Sequence, residues 1–241
     1  MRYAVLSDVH SNLEALSVVL TDIEQKKISA VVFLGDAVGY GPSPNECIAL
    51  LAKRCKICIA GNHDWGVLKR TDITCFNEYA SDAIEWTRGV LTIKNNNILK
   101  ALPVQKEDGD EDILFVHSSP KDPVEWHYLL TLWDAEINFH YFNNKFCFLG
   151  HSHQPFIIER RPSGELISYK GMARIKKNNR YIINAGSVGQ PRDGDPRACY
   201  AIIDRENIEI VRVPYNVERV QEKMRKEFLP PLLIDRLSAG I

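Results

Sequence analysis

Long apolar runs are absent from this 241-residue chain: none approaches the roughly 18 residues needed to cross a bilayer. Positive charge is not in excess either. Lys and Arg number 30 against 31 Asp and Glu, a net charge of -1, so no basic field holds nucleic acid by electrostatics alone. Cysteine is sparse and scattered. Cys55-Lys56-Ile57-Cys58 has no second pair at similar spacing, which argues against a zinc knuckle and for reduced core thiols. No Gly-x-x-x-x-Gly-Lys occurs, and Gly39-Tyr40-Gly41 lacks the third glycine of a dinucleotide fingerprint, position 44 being proline. Ala185-Gly186-Ser187-Val188-Gly189 approaches a nucleophile elbow. That fold needs a histidine after the serine, and none follows His153. The chain opens without a charged leader and apolar stretch, which predicts a cytoplasmic protein. No linker rich in Gly, Ser or Pro and no repeat divides it, which predicts one domain over residues 1–241.

What is there, 45% hydrophobic and 25% charged residues, suits a globular protein with a large core. Residues 3–7 form a compact apolar strand. Ser11-Asn12-Leu13-Glu14 reads as a capping box, and Leu13, Leu16, Leu20 and Ile23 mark one face of the helix it opens. A strand at 30–34, a helix at 43–54 with Pro44 in its first turn, and a strand at 57–60 continue the rhythm. Apolar strands between amphipathic helices predict a parallel sheet covered on both faces. Further helices are predicted at 77–88, 92–101 and 129–140, and strands at 113–116 and 145–149. The acidic segment 105–112 contains an Asp-Gly step and reads as a hairpin tip. Beyond Gln154, short strands at 156–160, 166–169, 181–184, 199–204 and 208–213 predict a second sheet packed on the first. A helix at 216–228 and a Pro-Pro tail close the chain.

Histidine is scarce too, and its placing is the most informative feature. Five of the seven histidines fall in an ordered series: Asp8-Val9-His10, Gly35-Asp36, Gly61-Asn62-His63-Asp64, His117 and Gly150-His151-Ser152-His153. Each motif lies where a predicted strand ends. Asp8 and His10 are two apart, as are His151 and His153, so each pair points the same way. Carboxylate and imidazole without thiolate suit Mn, Fe or Zn. One carboxylate must bridge if two ions are adjacent, and Asp36 sits between the other groups. Singly, each motif also fits a turn, a helix cap or a surface pair; the whole ordered series does not. His127 and His140 fall outside it and read as structural or surface residues.

These motifs resemble those of the calcineurin-like metallophosphoesterase superfamily, over residues 3–192. The stretches Gly35-Asp36-Ala37-Val38-Gly39-Tyr40-Gly41-Pro42 and Asn184-Ala185-Gly186-Ser187-Val188-Gly189-Gln190-Pro191-Arg192 resemble its compact bacterial and archaeal members. Those are single-domain phosphodiesterases and phosphatases, some acting on dinucleoside polyphosphates. The resemblance implies a four-layer αββα sandwich of two mixed sheets flanked by helices. It implies Asp8, His10, Asp36 and His153 on one divalent ion, and Asp36, Asn62, His117 and His151 on a second. His63 would face the leaving group. The expected chemistry is attack on phosphorus by a hydroxide bridging the ions. Asp64 either orients His63 or caps a loop.

The expected partner is a small-molecule phosphoester such as a nucleotide or dinucleoside polyphosphate. Asn12, at the start of a helix, and Arg192 are candidate phosphate contacts. Tyr40, Trp126 and Tyr128 lie at loop rims where they could stack on a base, although such aromatics more often pack. The alternative is a non-catalytic scaffold on the same fold, disfavoured because no ligand is missing. Nucleases of the superfamily carry extra DNA-binding domains, for which this chain has no room. Its basic cluster of Lys170, Arg174, Lys176, Lys177 and Arg180 reads as a solvated loop.

Overall fold

The computed structural model describes residues 2–241. Two six-stranded mixed sheets lie at its centre. The first contains β1 (Tyr3–Leu6), β2 (Ala30–Phe33), β3 (Ile57–Cys58), β9 (Met172–Arg174), β11 (Ala198–Ile203) and β12 (Asn207–Val213), in the order β3-β2-β1-β11-β12-β9. The second contains β4 (Gln105–Asp108), β5 (Ile113–Val116), β6 (Phe146–Leu149), β7 (Phe156–Arg160), β8 (Leu166–Tyr169) and β10 (Arg180–Asn184), in the order β4-β5-β6-β10-β7-β8. β1, β2 and β3 run parallel, as do β5, β6 and β10.

Alternation along each strand builds the layers. In β1, Tyr3 and Val5 enter a core shared by the two sheets, with Phe115, Phe148, Tyr181 and Ile183. Ala4 and Leu6 point the other way, into a core with α1 (Leu13–Gln25), α2 (Pro44–Arg54) and α5 (Ile93–Lys100). On the far side of the second sheet, Leu114, Val116, Cys147 and Leu149 pack on Ala135 of α6 (Leu132–Asn138) and on Phe139. The layers therefore run helix, sheet, sheet, helix. A fourth apolar cluster joins α4 (Glu78–Val90), α7 (Val217–Lys226) and α8 (Pro231–Ala239) around Tyr40. The short α3 (Asn62–Val67) starts at one of the motifs. Among the described residues no helix is long and apolar enough to cross a membrane.

Several expectations need correction. The two mixed sheets implied by the resemblance are present; the parallel reading of the first strands holds for β1 to β3, but β11 returns to pair antiparallel with β1, Tyr3 opposite Ile203. The strands after Gln154 are thus shared between both sheets. Ser11 does not cap α1. Asn12 does, its Oδ1 accepting from the Ala15 amide at 3.0 Å, while Glu14 pairs with Lys223 and Arg219 of α7. A capping box at Thr131 and Asp134 delays the 129–140 helix, leaving only α6. The acidic segment is a hairpin, as expected, but its charged first half is itself the edge strand β4. The Pro-Pro tail is a helix start: Pro231 opens α8, where a missing amide proton costs nothing. In the basic cluster, Lys176 pairs with the buried Glu159 at 3.0 Å, and Arg180 donates to the carbonyls of Phe139 and Asn144, both at 3.1 Å. All six cysteines are free thiols, with Cys47, Cys147 and Cys199 buried.

Candidate metal centre

The parallel strands of both sheets deliver their C-terminal ends to one edge of the sandwich, where α/β folds generally place their sites. Asp8 and His10 follow β1, Asp36 follows β2, Asn62 and His63 open α3 after β3, His117 follows β5, and His151 and His153 follow β6. Backbone bonds zip these loops together. The Asp8 amide donates to the Gly35 carbonyl at 3.0 Å, that of His10 to Asp36 at 3.0 Å, and that of Gly150 to His117 at 2.9 Å. The loops pass so close that two glycines are obligatory. A Cβ at Gly61 would stand 2.1 Å from Asp36 Oδ1, and one at Gly150 would stand 1.9 Å from Ser7 Oγ. Sharp turning has a further signature. Asp8, His10, Asp36, His151 and His153 all have positive φ, between 46° and 63°, in the left-handed region that L residues with a side chain avoid.

Each of the four converging histidines has one ring nitrogen on a backbone carbonyl. His10 Nδ1 donates to Val38 O at 3.0 Å and His117 Nδ1 to Leu34 O at 2.8 Å. His153 Nδ1 donates to Gln190 O at 2.5 Å and His151 Nε2 to Trp126 O at 2.8 Å. A carbonyl has no proton to give, so the hydrogen sits on the nitrogen facing it. In the neutral rings of His10, His151 and His153 the other nitrogen is left bare, while the charge of Asp36 and Asp8 favours a second proton on His117. Those bare atoms point inward. His10 Nε2 and His153 Nε2 are 3.1 Å apart, and His153 Nε2 is 3.3 Å from Asp8 Oδ1, a buried oxygen with no hydrogen-bond partner. His117 Nε2 lies 3.2 Å from Asn62 Oδ1 and 3.3 Å from Asp36 Oδ2; the same Asp36 oxygen is 3.7 Å from His10 Nε2. Two compact ligand groups result, Asp8-His10-His153 and Asp36-His117-His151, and a third grouping joins His10, Asp36 and His63.

A family model for calcineurin-like phosphoesterases matches residues 1–183. The chain belongs to the calcineurin-like phosphoesterases. An uncharacterised protein of Methanocaldococcus jannaschii is 42% identical, with 98% of this chain and 97% of that protein covered. A metallophosphoesterase from Sphaerobacter thermophilus superposes with a TM-score of 0.87 at 39% identity, covering 100% of this chain and 99% of that one. A hypothetical protein from Pyrococcus horikoshii shares the fold, with a TM-score of 0.81 at 21% identity, covering 100% and 98%.

The electrostatics of this phosphoesterase fold follow from burial opposed by charge. Burial alone would raise the carboxyls of Asp8 and Asp36, but the facing His153 and His117 outweigh it and hold both well below the usual range. Burial pulls His117 down, yet Asp36 and Asp8 raise it to about 9. Burial dominates elsewhere, lowering His10 and His153, taking His151 to about 3 and His63 to about 4. These four rings are therefore neutral at neutral pH.

His63 is packed between the rings of His10 at 4.7 Å, Tyr40 at 4.6 Å and Phe76 at 5.3 Å, with Nδ1 buried and unpartnered. Asp64 does not orient it. The Asp64 carboxylate accepts from the amides of Asp36 at 2.9 Å, Ala37 at 3.0 Å and Gly61 at 3.0 Å, tying two site loops together. Burial and the Asp36 charge push that carboxyl up to about 7, against the pull of the amides. Asn12 is a helix cap whose Nδ2 also donates to Gly189 O at 2.9 Å. Arg192 lies over the Tyr40 ring and donates to the Tyr40 hydroxyl at 3.2 Å and to Gln190 Oε1 at 2.9 Å. Tyr128 stacks on His151, ring centres 4.2 Å apart and planes 16° apart.

Sequence reasoning misses the supports. Asn184 Nδ2 donates to Gly150 O at 2.7 Å, and Ser187 Oγ donates to Asp8 O at 2.8 Å, so the elbow-like serine holds a site loop. The Asn-Ala-Gly-Ser run was the available signal. The four carbonyls that set the histidine rings are backbone atoms and leave no trace in residue identity.

Proposed function

We propose that the chain is a phosphoester hydrolase working with two divalent cations. One observation carries this reading: the bare ring nitrogens of His10 and His153 face each other at 3.1 Å beside the orphaned Asp8 Oδ1. Lone pairs so placed repel, and buried polar atoms without partners are costly, unless a cation lies among them. Asp8, His10, Asp36 and His153 would hold one cation; Asp36, Asn62, His117 and His151 would hold the other, with Asp36 in both sets. An oxygen and nitrogen donor set suits Mn, Fe or Zn. Such ions supply Lewis acidity toward phosphoryl oxygens and a water of lowered pKa.

The chain's own groups supply position and protons. The four carbonyl bonds lock the imidazoles in orientation, and the His63 amide pins Asp36 Oδ1 at 2.8 Å. Hydrolysis joins water oxygen to phosphorus, breaks the ester P–O bond and releases the alcohol with a proton. His63, outside the two ligand sets, offers an N–H to that departing oxygen. Arg192 places positive charge nearby for the phosphate. The test is elemental analysis after loading with Mn²⁺, together with turnover of bis(p-nitrophenyl) phosphate and p-nitrophenyl phosphate. Two ions per chain and hydrolysis abolished by chelation are expected. Bound metal without hydrolysis of any ester would instead favour the non-catalytic scaffold.

A further inference from the structure

A cleft of about 670 Å³ opens beside the candidate centre, within the size range of small-molecule sites. Its position is lopsided. Asn62, His63 and His151 line it, whereas Asp8, His10 and His153 do not. It therefore meets only one of the two ligand sets, on the side where His63 stands. Aromatic side chains stand among its polar lining: Trp65, Phe76, Trp126 and Tyr128. Trp126 is fixed across it, its indole N–H donating to Thr71 Oγ1 at 3.1 Å and its ring edge-on to Trp65 at 5.3 Å and 83°. Tyr128 has one face on His151 and is 51% exposed, so its other face is open. The open face of Tyr128, facing a cleft braced by the packed rings of Trp65, Trp126 and Phe76, suits a flat unsaturated ring.

Charge narrows the ligand. Among the lining residues, one arginine, Arg70, stands against two carboxylates, Asp72 and Glu125. The Arg70 guanidinium also donates to the Lys100 carbonyl at 3.2 Å. A second phosphate would find no surplus of positive charge here, while a neutral group would meet no penalty.

We propose that this cleft receives a neutral nucleoside as the departing alcohol, which makes the substrate class nucleoside phosphodiesters rather than nucleoside polyphosphates. Tyr128 determines specificity, with Trp65, Phe76 and Trp126 bracing the cleft. The proposal rests on the hydrolase reading above. In the reaction the bond between phosphorus and the nucleoside oxygen breaks, water oxygen takes its place, and the nucleoside leaves with a proton beside His63.

The experiment compares two diesters with the same leaving oxygen, methyl adenosine 5′-phosphate and its counterpart with the base replaced by a methoxy group, using the Mn²⁺-loaded protein. The expected kcat/KM ratio is about 10- to 100-fold in favour of the base-bearing ester, the usual range for base stacking. The products should be adenosine and methyl phosphate. Phe76→Leu and Trp65→Leu should each bring the ratio toward unity; using both guards against one failing to fold. Independently of turnover, adenosine but not ribose should saturably quench the tryptophan fluorescence of the metal-free protein. Equal rates on both diesters, release of AMP and methanol, or faster turnover of diadenosine tetraphosphate would each overturn the proposal. In those cases continued hydrolysis of bis(p-nitrophenyl) phosphate would leave the hydrolase reading standing. Hydrolysis of no ester at all would sink both.

Discussion

Replacing Asp64 by Asn tests whether the site is held together by a carboxylate that touches no substrate. The two side chains are nearly isosteric, so packing is unchanged and only hydrogen bonding is altered. Oδ2 of Asp64 serves the amides of Asp36 and Gly61, and Oδ1 serves that of Ala37. An Asn oxygen can keep the first two, which lose the assistance of charge. Its NH₂ group must then face the Ala37 amide, donor against donor. A buried donor left unsatisfied costs about 1–3 kcal/mol, and lost charge assistance roughly 0.5–1 kcal/mol for each remaining bond, about 3 kcal/mol in all. Against this, the variant is relieved of the burial and Asp36 repulsion that push the wild-type carboxyl up to about 7, which offsets most of the loss above that pH. The net change in Tm is therefore within roughly 4 °C, about 1 kcal/mol in a chain of this size. The measurement is a thermal melt of metal-free wild type and variant at pH 8.5, above the value of about 7 that burial gives the wild-type carboxyl. Metal content after loading should fall, because Asp36 loses its brace. A variant that melts more than about 8 °C below wild type, or that loads metal normally, would refute the reasoning.

Asp36→Asn should reduce metal at both positions and abolish turnover, since Oδ2 of Asp36 lies between both ligand sets; elemental analysis with an activity assay checks it, and full occupancy would contradict it. His63→Ala should keep its metal but lose about 10²- to 10⁴-fold in turnover, less on nitrophenyl esters, whose leaving groups need little help; loss of metal would instead make His63 a ligand, as its grouping with His10 and Asp36 permits. Chelation should inactivate without unfolding, read by far-UV dichroism, because a core of this size does not depend on metal. Glu159, whose carboxylate receives Lys176, Tyr169 and Asn179, is pushed up by burial but held lower still by those bonds. Its stabilising contribution is therefore present above the unfolded value of about 4.3 and lost as pH falls through the lower folded value. Glu159→Gln should lower the urea midpoint at pH 7 and narrow the gap to wild type toward pH 3.

The candidate site was legible because its chemistry demands particular residue types at particular places. Only Asp, His and Asn at strand ends can present several donors to one point, and the Asp-x-His and His-x-His spacings announce themselves in a string of letters. The first three strands were legible for a similar reason, being short apolar runs between capped helices. What failed was long-range. Nothing near Ala198–Ile203 says that this strand crosses back to pair with β1, because pairing is decided by what the rest of the core leaves open. Local rivalry hid smaller points. Ser11 and Asn12 are both good caps, and the choice falls to Asn12 because Ser11 has a positive φ. The role of Asp64 was invisible because its partners are amides, which every residue possesses.

The left-handed backbone at Asp8, His10, Asp36, His151 and His153 bears on how such a protein changes over generations. Each of these residues costs about 1 kcal/mol or more relative to a glycine in the same place. Together they withhold on the order of 5 kcal/mol, comparable with the entire net stability of an ordinary domain. Exchange for glycine would relieve that strain, but it would also empty buried space and strip partners from the His63 and His151 amides and from the carbonyls of Val38, Gln190 and Trp126. Loss of any one would therefore loosen the loop bonded to it, so the five strained positions hold or fail together.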